Sequence, residues 1–338
     1  MGEIESRDFM ERKMRKGTIV TITFLLTIII GIIAIGLGSV SISIPDILQT
    51  IFQTSSTNVH ETIILEIRLP RVLLAMIVGA NIAIAGALLQ AVVGNPLADP
   101  GLTGVTSGAA VCVLIIFLVS PEYTQFVPIA AFVGGLISAT IVYSLAWKKR
   151  GISPITIILA GVAVNAIAGG ATGYLSILYS DRLPSALQWL NGSLAAKGTN
   201  TLMMILPYAI IGWILSIFAI RKANIIRMGD QVAANLGENV NRIRILLSLL
   251  AVFLTAISVA AIGMIGFVGL IVPHIARLLV GSNHIYLLPM SMALGALILL
   301  IADTGGRTIF APLEIPAGIL MAMIGGPYFL YLMRRSVL

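Results

Sequence analysis

The chain has 338 residues, of which 58% are hydrophobic and only 10% are charged, and its formal net charge is +7. Soluble domains carry about a quarter charged residues, so this composition excludes an ordinary soluble fold and fits a surface that lipid solvates. The basic residues lie in short connectors, which favours a membrane surface over nucleic acid as their partner, and the single cysteine excludes an intrachain disulfide.

The first apolar run, 17–38, follows a basic segment that extends from Arg7 to Lys16. A signal peptide has an apolar core of roughly 7–15 residues, and this run is about 22 residues long without a clear cleavage site after it. We therefore predict that the run is a retained first span and that residues 1–16 form a cytoplasmic N-terminal segment.

Further apolar runs predict the remaining spans in chain order. One run, 243–281, is about twice the roughly 20 residues that a span needs, and Gly263, Gly266, Gly269 and Pro273 interrupt it. We split it into two spans around Met264, which brings the prediction to ten. The runs are 17–38, 70–93, 104–119, 126–147, 152–179, 202–220, 243–281, 285–302 and 312–333.

Charge placement supports ten spans with both termini in the cytoplasm. That topology puts 16 of the 21 lysines and arginines inside, including Lys148, Lys149 and Arg150. Nine spans would put the basic C-terminus outside, against the positive-inside rule. No polar stretch is long enough for a second domain, so we predict an all-α integral membrane protein with one domain over 1–338.

The segment from Gly94 to Gly101 contains two X-Pro pairs and cannot continue a helix. It is either a tight connector between two helices or irregular backbone that lines a pore, since such backbone is tolerated at membrane depth only against protein or water.

A polar segment, 228–237, is predicted to form a short cytoplasmic helix that Asp230 caps and that Gly237 ends in the left-handed conformation. It is either an ordinary interfacial helix or a flat helix that inserts into the groove of a partner. Arg242 and Arg244 are interpreted as positive-inside anchors rather than as specific contacts.

His274 lies in a glycine-rich segment, and a structural hydrogen bond is preferred over a proton carrier or metal ligand because no other ligand stands nearby. An intramembrane enzyme with Ser107 as nucleophile and His274 as base lacks an orienting third group. Arg68, Arg71 and Arg307 fall on the outer side, where they either form local pairs with Glu66 or Asp303 or dock carboxylates of an outside partner.

The chain has few ionisable residues at mid-membrane and no phosphate-binding G-x-x-x-x-G-K-[ST] loop. A secondary transporter needs buried coupling groups, so their scarcity disfavours that class. We expect a transport subunit, not an enzyme, that takes its energy from a partner.

Six stretches together resemble the permease family of type II ABC importers, which handle iron-siderophores, haem and cobalamin. They are Arg68–Arg71, Gly86–Gln90, Asn95–Gly104, Leu159–Ala163, Gly266–His274 and Glu314–Gly318. The resemblance implies a ten-span subunit of the bacterial cell membrane that works as a dimer around a central translocation pathway, with a second copy or a paralogous permease.

The same resemblance implies two ABC ATPase subunits inside, which hold ATP and Mg, and an extracytoplasmic solute-binding protein outside that delivers an iron chelate. This chain itself would bind no metal or cofactor and would work by alternating access. Iron-siderophore complexes are expected as substrate, with haem or cobalamin as alternatives.

The resemblance also assigns residues to roles. Docking of the binding protein falls to Arg68, Arg71 and Arg307. The coupling segment within 221–244 contains Met228, Gly229, Asp230, Gln231, Ala233, Ala234, Leu236 and Gly237. The pathway and gate residues are Asn95, Pro96, Leu97, Asp99, Pro100, Ser153 and Pro154, although Pro154 and Ile155 replace the small polar residues that are frequent in the family.

Overall fold

The computed structural model describes residues 2–38, 42–52, 59–148 and 151–336. The basic residues Lys149 and Arg150 lie outside these ranges. Within them the regular structure is helical apart from one short hairpin, in which β1 (Trp147–Lys148) pairs antiparallel with β2 (Gly151–Ile152). The predicted all-α class is therefore confirmed.

The described part of the chain contains fourteen α-helices. The first seven are α1 (Gly2–Gly36), α2 (Ile44–Phe52), α3 (Val59–Thr62), α4 (Leu69–Val93), α5 (Val105–Leu114), α6 (Val127–Ala146) and α7 (Pro154–Leu178). The others are α8 (Leu183–Leu190), α9 (Thr199–Arg227), α10 (Asp230–Asn235), α11 (Val240–Ile262), α12 (Val268–Val280), α13 (His284–Thr308) and α14 (Ala317–Ser336).

Eight helical segments of the described chain are long and apolar enough to cross a membrane. Two apolar segments are shorter, Val105–Val119 and Val268–Val280. The predicted split of the long run is confirmed, because α11 ends at Ile262 and α12 begins at Val268. Gly263, with φ of +85°, and Phe267, with φ of +68°, bound the extended stretch between them.

Helix α4 lies at the centre of the packing and contacts α9, α11, α12 and α13. Its glycines permit close approach of backbones, the usual basis of helix association where lipid removes the hydrophobic driving force. A Cβ at Gly79 would overlap the carbonyl of Gly295 in α13, and one at Gly86 would overlap the carbonyl of Gly269 in α12. These contacts fix α12 and α13 against α4.

Helix α13 separates two ends of the molecule. Its first residue, His284, donates a backbone hydrogen bond to Asn224 in the last turns of α9, 2.9 Å away. Its last turn contains Arg307, which contacts the C-terminal end of α1. Because 25 helical residues span about 37 Å, these contacts lie on opposite sides of a bilayer-sized layer. We call them the α10 end, which contains α10, and the arginine end, which contains Arg68, Arg71 and Arg307.

Candidate functional site

The arginine end is a compact network of ion pairs and helix-capping bonds. Arg71 in α4 is paired with Asp303 in α13 and with Glu314, at 2.9 Å in each case. Asp303 is only 2% exposed. The structure therefore shows the local pair with Asp303 that was one of the two interpretations of the outer arginines.

Arg68 and Arg307 both reach the end of α1, where the last carbonyls of a helix have no partner within the helix. Arg68 donates to the carbonyl of Ile35 at 2.8 Å, and Arg307 donates to the carbonyls of Leu37, at 2.7 Å, and Ala34. Cations at a helix C-terminus also interact favourably with its dipole. Arg68 is 6% exposed, so the structure brings the three arginines together but buries this one.

At the α10 end, α10 is a single short helix bounded by two glycines in left-handed or related conformations. Gly229 has φ of +100° and Gly237 has φ of +76°. Gly237 donates to the carbonyl of Ala234, and Glu238 donates to that of Ala233, which is the Schellman pattern of a helix end. The predicted left-handed ending at Gly237 is therefore confirmed.

An apolar stripe, formed by Met228, Val232 and Leu236, lies along the segment that contains α10. These side chains are 59%, 40% and 60% exposed. Val232 lies within α10 and Leu236 is its C-cap residue, whereas Gly229, with φ of +100°, separates Met228 from the helix. Exposed apolar side chains of this kind suit a hydrophobic groove on a partner. Ala233 is buried against the body of the protein, whereas Gln231 and Ala234 are exposed.

Two expectations about charged residues at this end were wrong. Gly229, not Asp230, occupies the N-cap position of α10. The carboxylate of Asp230 instead accepts from Arg244 at 2.8 and 3.0 Å. Arg244 is buried and makes this specific contact, so it is not merely a positive-inside anchor.

The connector after α4 is a series of tight turns. Gly94, with φ of +68°, ends α4, and the side chain of Asn95 accepts from the amide of Leu97 at 2.9 Å. Asp99 caps a short 3-10 helix, Pro100–Thr103, by accepting from the amide of Gly101 at 2.8 Å. Asp99 lies between the predicted spans, and desolvation by burial raises its pKa from 3.8 to about 6 despite the bond from Gly101.

This connector folds back beside the interior of the protein. Pro100 contacts Gly269, which itself packs on Gly86, seven residues before the end of α4. Seven helical residues correspond to about 10 Å of depth. The irregular backbone around Pro100 therefore lies beside buried helices, and this also explains why α5 is shorter than a full span.

Asp99 lines a cavity of about 620 Å³ together with residues that sequence reasoning had not selected, among them Thr106, Asn191 and Met264. A neighbouring cavity of about 270 Å³ shares Thr106 and Met264 and adds Asn165 from α7. Asn95 and Pro96 are exposed and do not line either of these two cavities.

Asn165 joins this region by hydrogen bonds that span three segments. Its side chain accepts from the hydroxyl of Ser107 at 2.6 Å and donates to the carbonyl of Gly101 at 3.1 Å. Ser107 is thus bonded to an amide rather than to His274, whose ring packs against Tyr328 with centroids 6.3 Å apart. An isolated asparagine in an apolar run gives no sequence signal for this role.

The predicted gate residues Ser153 and Pro154 begin α7 directly after the β1–β2 hairpin. Ser153 occupies the N-cap position without a side-chain capping bond, and Pro154 is the first helical residue, where its fixed φ suits a helix start. The first half of α7 extends from Pro154 to the cavity residue Asn165. This half of α7 therefore connects the hairpin to the cavity.

These features define the class of protein: a multi-pass membrane protein with an exposed short helix at one end and an arginine network at the other. The chain belongs to the FecCD transport family, whose profile matches residues 26–335.

Relatives support this assignment along nearly the whole chain. The Fe(3+)-citrate import system permease protein YfmE of Bacillus subtilis (strain 168) is 41% identical over 316 residues, covering 93% of this chain and 94% of the relative. The hemin transport system permease protein HmuU of Yersinia pestis is 39% identical over 325 residues, covering 92% and 94%.

A solved structure agrees with the fold. It is described as a metal-chelate type ABC transporter in an inward-facing conformation, and it is 31% identical to this chain. The match covers 94% of this chain and 99% of that chain, with a TM-score of 0.82. The predicted family resemblance is therefore confirmed by sequence and by structure.

Proposed function

We propose that the chain is the membrane-spanning permease subunit of an ATP-driven importer that moves an iron chelate into the bacterial cytoplasm by alternating access. The observation that carries this proposal is the exposed apolar stripe of α10, formed by Met228, Val232 and Leu236. A surface helix of this kind suits a groove on a partner, and relatives at 41% and 39% identity bear the names of citrate-iron and hemin import permeases.

The topology in this proposal has ten crossings with both termini in the cytoplasm. The eight long segments supply eight crossings, and the two shorter ones complete the number. The segment that contains α5 continues in a π-helix to Val119, and the extended stretch after Gly263 lengthens the path of α12. Ten crossings also agree with the excess of basic residues on one side.

The proposed pathway lies where two permeases meet, and a second copy or a paralogous permease would supply the other wall. The second half of α7 contributes Gly169, Gly170 and Gly173, and a Cβ at any of them would meet nothing within 4 Å. The adjoining cavities are mainly apolar with a few polar groups, such as Asn165 and Thr106. Such a surface suits a bulky chelate better than a bare ion, which needs several oxygen or sulfur ligands.

Partners outside the chain complete the mechanism. Two ATPase subunits would bind ATP and magnesium and receive the stripe of α10 in their grooves. A solute-binding protein would dock at the arginine end, where Arg71, Arg307 and Arg68 are candidates for its carboxylates. Because these arginines already have partners in the chain, docking requires that Arg71 or Arg307 exchange part of its present contacts.

Iron-siderophore complexes are the proposed substrate class, with haem and cobalamin as the alternatives within the family. The relatives named for citrate-iron and for hemin are similarly close to this chain, so their identities do not decide between these substrates.

The coupling role is tested at the middle of the stripe. Val232→Glu places a charge where an apolar contact is proposed, so we expect the ATPase subunits no longer to copurify with the permease. Val232→Leu keeps the apolar contact and is the matched control. Copurification that is unchanged in the glutamate variant would contradict the role of α10.

A further inference from the structure

Arg244 of α11 joins two segments that are distant in the sequence. Its Nη2 atom donates to both carboxylate oxygens of Asp230, at 2.8 and 3.0 Å. Its Nη1 atom donates to the carbonyl oxygen of Ile152, at 3.0 Å. One guanidinium thus bridges the first residue of α10 and the last residue of the β1–β2 hairpin.

A second side chain of α11 holds the same hairpin. The Oδ1 atom of Asn241 accepts from the amide of Ile152 at 3.2 Å. Gly151 has φ of +103°, and a Cβ at this residue would overlap the amide group of Asn241. Both backbone polar groups of Ile152 are therefore bonded to side chains in the first two turns of α11.

The bridge joins a buried guanidinium to a carboxylate whose side chain is 54% exposed. Arg244 is buried, and a buried guanidinium requires charged or polar partners because its desolvation is costly. The planar fork of arginine satisfies two partners in fixed directions, which a lysine ammonium does not do. Asp230 is favourably placed too, since a carboxylate in the first turn of α10 interacts with the helix dipole.

The two connected segments have different surroundings. Gly229 and Gly237 flank α10, and a Cβ at either would meet nothing within 4 Å, so the ends of this helix have space around them. The hairpin, by contrast, leads directly into Ser153 and Pro154, where α7 begins. A displacement of α10 that is transmitted through Arg244 would therefore reach the start of the helix that contributes Asn165 to the cavity.

We propose that Asp230, Arg244 and Ile152 form the mechanical link that transmits movement of the coupling helix to the cytoplasmic gate at the start of α7. Arg244 acts as a positioning residue and touches neither nucleotide nor substrate. This inference rests on the proposed function, in which α10 meets the ATPase.

The test uses the complete transporter, with the permease, its ATPase subunits and its binding protein in proteoliposomes. ATP hydrolysis and uptake of the ligand retained by the binding protein are measured in the same preparation. In Arg244→Gln we expect hydrolysis to continue while uptake per ATP falls by an order of magnitude or more. The matched control is Arg242→Gln, because Arg242 is exposed and forms no ion pair among the described residues.

Exchanging the charges of Asp230 and Arg244 distinguishes the bond to the hairpin from the ion pair between these two residues. Asp230→Arg combined with Arg244→Asp restores opposite charges between α10 and α11, but an aspartate cannot donate to the carbonyl of Ile152. We expect this double variant to remain uncoupled. Wild-type coupling in the double variant would overturn the link through Ile152.

A more conservative variant tests the link if the variants above fold poorly. Arg244→Lys keeps the charge but loses the fork, so we expect copurification of the ATPase subunits together with a reduced uptake per ATP. Hydrogen exchange at the amides of Gly151, Ile152 and Ser153 gives an independent readout. These amides should change their protection on ATP binding in the wild type and not in Arg244→Lys, and an equal change in both proteins would overturn the link.

The proposed function and the proposed link through Arg244 are contradicted by different results. Wild-type proteoliposomes without ATP-dependent uptake would contradict the proposed function. ATP-dependent uptake by the wild type with unchanged coupling in Arg244→Gln would overturn the link and leave the proposed function intact.

Discussion

Helices α4 and α7 are both 25 residues long and contain two and four glycines, but their surroundings are opposite. In the most apolar window of the segment that contains α4, 89% of residues are buried, whereas the corresponding value for α7 is 22%. Gly79 and Gly86 in α4 lie against backbone carbonyls, while Gly169, Gly170 and Gly173 in α7 lie in open space. Glycine thus serves close packing in α4 and at Gly161 in the first half of α7, where a Cβ would overlap the carbonyl of Leu102, and it leaves room only in the second half of α7.

Helix α4 belongs to the closely packed interior of the chain, whereas the second half of α7 is an exposed surface. Helices α4, α12 and α13 pack closely at Gly79, Gly86, Gly269 and Gly295, where an added Cβ would overlap neighbouring atoms. The open half of α7 gains nothing from glycine within this chain, and a glycine inside a helix costs about 1 kcal/mol relative to alanine. An exposed glycine face beside a mainly apolar cavity suits the proposed second subunit and a bulky ligand.

The largest effect is expected where α4 and α13 share a buried ion pair. Asp303→Ala leaves Arg71 and Arg307 without their common anion, and removal of one partner from a buried pair costs about 3–5 kcal/mol. The midpoint of thermal unfolding in detergent measures this loss. Glu314→Ala is the control, since this partner of Arg71 is half-exposed and an exposed pair contributes about 0–1 kcal/mol. Equal effects of the two variants would contradict the account.

The next largest loss of stability is expected when a closely packed glycine of α4 is enlarged. Gly86→Ala places a methyl group on the carbonyl of Gly269, so we expect a loss of about 1–3 kcal/mol from overpacking. Gly170→Ala adds the same methyl group in open space and is expected to be neutral or slightly stabilising. Thermal unfolding of the two variants in the same detergent compares them directly. Similar midpoints would show that the contrast between the helices does not hold.

A third variant tests the open surface by function. Gly170→Leu is expected to leave the thermal midpoint of the isolated chain unchanged, because nothing lies within 4 Å of the added Cβ. In the assembled transporter the larger side chain would occupy the proposed pathway or the contact with the second permease, and uptake should fall by an order of magnitude. Normal uptake would place the pathway elsewhere.

The smallest effect is a pH dependence at the connector. Because the folded-state pKa of Asp99 is raised from 3.8 to about 6, the native protein holds this proton more tightly than the unfolded chain does. The contribution of Asp99 to stability is therefore present below pH 3.8, declines as the pH rises from about 4 to about 6, and is absent above that range. Asp99→Asn should remove this part of the pH profile of the thermal midpoint. An unchanged profile would contradict the burial of the carboxylate.

Hydropathy and charge were sufficient to predict the apolar helices, including the break near Met264, because lipid imposes length and composition on each span. They did not predict α8 or α2, which are short and lie outside the long apolar runs. Gly237 was predicted because a left-handed helix end has a local sequence signal. The partnership of Arg244 with Asp230 and Ile152 was missed because it depends on how α11 packs against a distant hairpin.

The candidate site, like the fold, was predicted in part from the sequence. The segment of α10 was located from its polarity, but its stripe includes Val232, which was not selected, and excludes Ala233, which is buried. The three outer arginines do converge, yet the capping of α1 by Arg68 and Arg307 follows from tertiary packing that no local pattern reveals. Asn165 and Thr106 line the cavities as isolated polar residues in apolar helices, where sequence alone gives them no special weight.

The central claim, that this chain is the permease of an ATP-driven iron-chelate importer, is tested most directly by reconstituted uptake. The permease, its ATPase subunits and its binding protein are placed in proteoliposomes with the ligand that copurifies with the binding protein. We expect uptake of an iron chelate, and we expect this uptake to require ATP and all three components. Uptake by this chain alone without ATP, or a copurified ligand that contains no metal, would contradict it.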